Sequence, residues 1–128
     1  MAEIIVFRSN EMPKLNYKEI QTLFAELGAE QGLRVLERVL FEVSDKLCQL
    51  ELAVYEGDLR TAKRTANSLR TLCPQVGLVC LVGVANDILD AIACNDRGVL
   101  PAICHRMICL GEACLFQLAE LPRVLADQ

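Results

Sequence analysis

Residues 32–55 read GLRVLERVLFEVSDKLCQLELAVY. Leu33, Leu36, Leu40, Val43, Leu47, Leu50 and Val54 recur at intervals of 3, 4, 3, 4, 3 and 4, an unbroken a/d seam. Arg34, Arg38, Glu42, Asp45 and Gln49 fall outside it, as does Glu56 just beyond. A stripe this narrow specifies a helix that buries one edge against near-antiparallel neighbours, at crossing angles of about 20°. Leu40 and Leu47 lie mid-seam and are expected to be fully buried.

The same period continues outward in both directions. Gly57 stops the long helix, and Asp58 can cap the next one. Leu59, Ala62, Ala66, Leu69 and Cys73 repeat the 3, 4 spacing up to Pro74, which disfavours helix at the residue before it. The pattern resumes over 77–94 with Leu78, Leu81, Ala85, Ile88 and Ile92. A last helix starts near Val99, tolerates Pro101 in its first turn, and carries Ile103, Met107, Leu110, Cys114, Leu118 and Leu121. Upstream, Ile20, Leu23, Phe24 and Leu27 make a shorter helix over 17–27. These segments predict an all-α, up-and-down four-helix bundle with a short additional N-terminal helix. The bundle is expected over 17–128, after an N-terminal extension over 1–16. Within that extension, EIIVF (3–7) has strand character but no second strand to pair with.

Composition excludes several classes. With 128 residues the chain fits one domain with its own core. It has no Trp, two Tyr and four Phe, too few aromatic side chains for a base-stacking platform. Net charge is −4, which argues against broad nucleic-acid binding. No basic n-region precedes the short apolar run at the start. No uninterrupted apolar stretch reaches bilayer length, and the closest, 72–86, is short and broken. The expectation is a soluble, cytoplasmic protein that does not engage a membrane. Phosphate loops, nucleophile elbows and paired His ligands are absent, so no enzyme is expected and no cofactor is implied.

Seven cysteines stand out: Cys48, Cys73, Cys80, Cys94, Cys104, Cys109 and Cys114. The odd number and the missing C-x-x-C spacing exclude a disulfide scaffold and a structural zinc site. They read as small apolar fillers in a reducing compartment. A redox sensor is the rival reading, and it needs an exposed thiol of low pKa. His105, the single histidine, projects away from the core seam. It lies one turn from Cys109, but two ligands do not make a metal site.

Charge is distributed unevenly. Arg60, Lys63, Arg64, Asn67, Arg70 and Thr71 share one outward helix face opposite the Leu59–Ala66–Leu69 seam, with Ser68 beside Asn67. No acidic residue occurs over 59–86, which carries +4; the remainder has nine basic and 17 acidic residues, or −8. A basic stripe on an acidic chain is a directional surface suited to an acidic partner. Asn67 is expected to be solvent-exposed and mid-helix, since capping falls to Asp58.

The hairpin over 47–78, LCQLELAVYEGDLRTAKRTANSLRTLCPQVGL, resembles the histidine phosphotransfer (HPt) domain family, the four-helix bundles of multi-step phosphorelays. That family has a small residue, the phospho-accepting His, then Ser, Leu, Lys and Gly, and a second Gly ten residues after the His. Here the matching residues are Ala66, Asn67, Ser68, Leu69, Arg70 and Thr71, with Gly77 ten past Asn67 and the Gly57–Asp58 turn in register. The resemblance spans roughly 17–121. Asn67 replaces the phospho-acceptor, and an amide cannot carry a phosphoryl group as imidazole does. Arg70 keeps the charge of the family's Lys, while Thr71 places a branched side chain where a partner must approach. The resemblance therefore implies a degenerate HPt-like module of bacterial two-component signalling. It would dock a response-regulator receiver domain or a histidine kinase through Arg60, Lys63, Arg64, Asn67, Ser68, Arg70 and Thr71, without phosphotransfer. An active phosphotransfer protein using His105 is the alternative, as is a homo-oligomeric helical bundle.

Overall fold

Asn16 Oδ1 accepts the backbone N–H of Lys18 at 3.1 Å and opens the first helix, α1 (Tyr17–Glu56). Gly57 closes it in a left-handed conformation, donating its N–H to the carbonyls of Ala53 and Val54. Asp58 then caps α2 (Leu59–Leu72) by accepting from Thr61 N. Pro74 ends α2 as expected, and residues Cys73–Val76 tighten into a 3₁₀ turn. Helices α3 (Val79–Ala93) and α4 (Leu100–Ala119) follow, with Pro101 in the first turn of α4. This computed structural model describes residues 15–120, and no strand occurs among them. The segment 3–7 and Leu121 lie outside the described residues.

The helices form a four-sided ring. Helix α1 packs on α2 and α4, and α3 packs on the same two. Leu36, Leu50, Leu69, Leu78, Leu81, Ile88, Met107 and Leu118 fill its centre. The all-α up-and-down bundle is thus as the periodicity predicts.

The short leading helix is present, but joined to the long one. The backbone leaves the helix only at Gly28 (φ 84°, ψ 164°), so the long helix resumes just after it rather than at Gly32. The two segments face each other across this break. Gly32 is buried, and Phe24 occupies the space in which a β-carbon at 32 would stand. The free edge of the leading segment is tied down by Asn16 N, which donates to Gly77 O at 2.8 Å.

The α1 seam differs in detail from the strict heptad. Leu36, Val39, Val43, Leu47, Leu50 and Ala53 are buried, whereas Leu40 and Val54 are half-buried. Leu47 meets the expectation and Leu40 does not. A straight helix drifts by about 20° per heptad against a 3.5-residue repeat. Helix α1 also has two neighbours rather than one, so its buried face is an arc.

Helix α4 corrects the reading of apolar stretches. By length and composition it is the one described helix able to cross a bilayer, with a mean hydropathy of 1.3. Arg106 and Glu112 break its sequence. Its apolar residues Leu100, Cys104, Met107, Leu110, Cys114 and Leu118 are the buried ones. Arg106 lies 3.6 Å from the Asp87 carboxylate of α3.

The cysteines do not all behave as fillers. Cys73, Cys104 and Cys114 are buried, Cys80 and Cys109 are half-buried, and Cys48 and Cys94 are exposed. The a/d period counts sulfur as apolar, but Cys48 lies on the outer side of α1 and Cys94 at the end of α3.

Candidate functional site

Helix α2 begins with an acidic cap and then turns wholly basic. Thr61 Oγ1 donates to Asp58 Oδ2 at 2.7 Å and Thr61 N to Oδ1 at 3.2 Å. These bonds hold the Asp58 carboxyl below its ordinary value of 3.8, with Arg64 and Arg60 adding to the shift. From this fixed start, α2 presents Arg60, Lys63 and Arg64 as exposed side chains on successive turns.

Between α1 and α2 runs an open groove of about 920 Å³. Arg60, Lys63, Arg64, Asn67, Ser68, Thr71 and Leu72 line its α2 wall, and Glu42 and Lys46 line its α1 wall. Four cationic side chains and one carboxylate thus border the groove. The sequence reading does not place Glu42 and Lys46 in the site. Their i, i+4 spacing on α1 was visible, but nothing local says which side of α1 abuts α2.

Asn67 sits mid-helix, and it is half-buried rather than fully exposed. Its amide oxygen accepts from Arg70 Nη2 at 3.0 Å. Arg70 also donates through Nη1 to Asn86 Oδ1 on α3, at 3.3 Å. Arg70 is therefore not part of the groove wall: it turns the other way and joins α2 to α3. Sequence reasoning placed it on the docking face because 60, 63, 67 and 70 share a broad arc, and it had no means of finding Asn86. Thr71 is exposed and stands one turn beyond Asn67, with its hydroxyl donating to the Asn67 carbonyl at 3.2 Å. Ser68 is similarly turned back, donating to Arg64 O at 3.2 Å. Both hydroxyls are engaged with α2 itself, so the reach of the groove is set by the cations.

Chemically the arrangement can hold anionic groups by charge and by guanidinium and ammonium donors. Among its lining residues it offers the amide of Asn67, which has no nucleophile to form a phosphoramidate. His105 is exposed on α4, which stands diagonally across the ring from α2. Its Nε2 lies 3.5 Å from Cys109 Sγ. Among the described residues, no group of three or more His, Cys, Asp or Glu side chains is placed to hold a metal ion.

No protein-family model and no curated protein matches the sequence. Among solved structures, the fold is similar to the crystal structure of histidine-containing phosphotransfer protein B from Pseudomonas aeruginosa PAO1, with a TM-score of 0.79. The match covers 88% of this chain and 97% of that one at 17% identity. At that identity the likeness establishes an HPt-like bundle.

Proposed function

We propose that the protein is a phosphorelay-associated binding module, an HPt-like bundle that docks a response-regulator receiver domain or a histidine kinase without accepting phosphate. One observation carries this reading: Asn67, which the sequence resemblance puts in the phospho-acceptor register, lies in the α1–α2 groove among Lys46, Arg60, Lys63 and Arg64. The groove keeps the charge that recognises an acidic partner and has lost the nucleophile. Such a module would occupy a receiver in competition with phosphotransfer proteins, or hold it in an assembly. It acts in the cytoplasm, with no cofactor, nucleic acid or membrane.

Direct binding and label transfer test it together. The full chain should bind one or more receiver domains, more weakly as salt rises because the contact is electrostatic. Lys63→Glu with Arg64→Glu should abolish that binding while circular dichroism stays unchanged. Incubation with a phosphorylated receiver should leave no acid-labile label on the chain. Label that appears and is lost in His105→Ala would overturn the proposal in favour of phosphotransfer through α4.

Self-association has a separate observation in its favour. Phe41, Leu52 and Tyr55 are 74%, 57% and 88% exposed along one outer side of α1, with Cys48 between them. Sedimentation that is independent of concentration would remove that reading.

A further inference from the structure

The expectation that the cysteines merely fill space leaves one contact unexplained. Cys80 Sγ and Cys114 Sγ lie 3.2 Å apart, although 34 residues separate them in sequence. Cys80 is in the first turn of α3, and Cys114 is near the end of α4. The two thiols therefore face each other across the seam between the last two helices. Cys114 is fully buried, while Cys80 is half-buried. A small oxidant can reach the pair only from the Cys80 side. Cys73, fully buried in the 3₁₀ turn, is close enough to interact electrostatically with both sulfurs.

We propose that Cys80 and Cys114 form an oxidation site, a dithiol that peroxide closes into an intramolecular disulfide tying α3 to α4. A disulfide needs the sulfurs at about 2.0 Å. The sulfurs must close by about 1.2 Å, which side-chain rotation, chiefly at the half-buried Cys80, can supply.

The order of steps follows from accessibility. The Cys80 sulfur attacks one oxygen of hydrogen peroxide; the O–O bond breaks, the departing hydroxide takes the Cys80 proton as water, and Cys80 becomes a sulfenic acid. Cys114 sulfur then attacks the sulfenyl sulfur. The S–O bond breaks, the departing hydroxide takes the Cys114 proton as water, and the S–S bond forms. In sum, two thiols and one peroxide become one disulfide and two waters. The hydrogen bond with Cys80, then burial, push the Cys114 thiol well up from its ordinary range. Cys114 is thereby a poor first nucleophile, which leaves the first step to Cys80. Burial likewise pushes Cys73 up to about 12, so it does not compete for peroxide.

The test uses the full chain with Cys48→Ser and Cys94→Ser, which removes the two exposed thiols capable of cross-linking separate molecules. The reduced protein is treated with a small excess of hydrogen peroxide and analysed by intact mass, peptide mapping and thermal melting. The expected product is a monomer lighter by about 2 Da, with the Cys80 and Cys114 peptides linked. Closing a loop of this length should raise Tm by roughly 10 °C, and dithiothreitol should reverse the shift. Adding Cys80→Ser should abolish both the mass change and the Tm shift, and this half-buried position lets the variant fold. Stepwise gain of oxygen without the cross-link, or a dominant link through Cys73, would overturn the proposal. So would a disulfide that forms equally well in the Cys80→Ser background.

Discussion

Replacing Gly77 by alanine isolates what holds the leading segment of α1 to the bundle. Gly77 and Gly57 have nearly the same backbone, φ +77° and +76°. A β-carbon at Gly57 would meet nothing within 4 Å, whereas one at Gly77 would collide with the backbone carbonyl of Asn16. Gly57→Ala therefore carries only the left-handed strain of an L-residue, about 1 kcal/mol. Gly77→Ala carries the same strain and also forces Asn16 away. That breaks the 2.8 Å bond from Asn16 N to Gly77 O, a loss of about 1 kcal/mol. Displacing the start of α1 also loosens Ile20, which is 2% exposed. Partial exposure of that side chain adds about 1 kcal/mol. The expected losses in urea denaturation are thus about 1 kcal/mol for Gly57→Ala and about 3 kcal/mol for Gly77→Ala. Gly77→Asn is the further control, because Asn tolerates the left-handed region but keeps the β-carbon; it should still lose about 2 kcal/mol. If the two alanine variants agree within about 0.5 kcal/mol, the close approach of Asn16 contributes nothing and this account of Gly77 is wrong.

Other outcomes follow from the same contacts. Leu47→Ala, in the core beside Gly111, should cost about 2–5 kcal/mol in chemical denaturation, and Leu40→Ala, half-buried, should cost less. Asn67→His alone should give little phosphotransfer from a panel of phosphorylated receivers, and Asn67→His with Thr71→Gly measurably more, with circular dichroism confirming the fold. A single variant as active as the double would remove Thr71 as the obstacle. Asp58 has its folded pKa lowered, so its capping contribution is complete above the ordinary value of 3.8 and is lost as pH falls through the folded value. Acid titration of stability should therefore be shallower below about pH 4 in Asp58→Ala than in the parent chain.

The site itself was only partly legible. The Gly57–Asp58 turn, the basic run of α2 and Asn67 in its middle are local features, readable one helix at a time. Lys46 and Glu42 were not, because membership of the groove depends on which side of α1 meets α2. Arg70's link across to α3 was not legible for the same reason: its partner Asn86 is 16 residues away on another helix. A helical arc of exposed cations does not say which members find a partner across an interface.

The sequence by itself determined the helices, their order and their approximate ends. Hydrophobic period, caps and breakers act over a few residues, so they can be read without knowing what packs where. Even there the strict heptad overstated Leu40 and Val54, since burial follows the number and direction of neighbouring helices. Only the tertiary structure decided that Asn16 closes over Gly77, that Arg70 reaches Asn86 on α3, and that Cys80 meets Cys114. Those contacts join residues from 16 to 61 positions apart. Their geometry comes from helix packing and bears no relation to the local period, so no pattern within one helix encodes it.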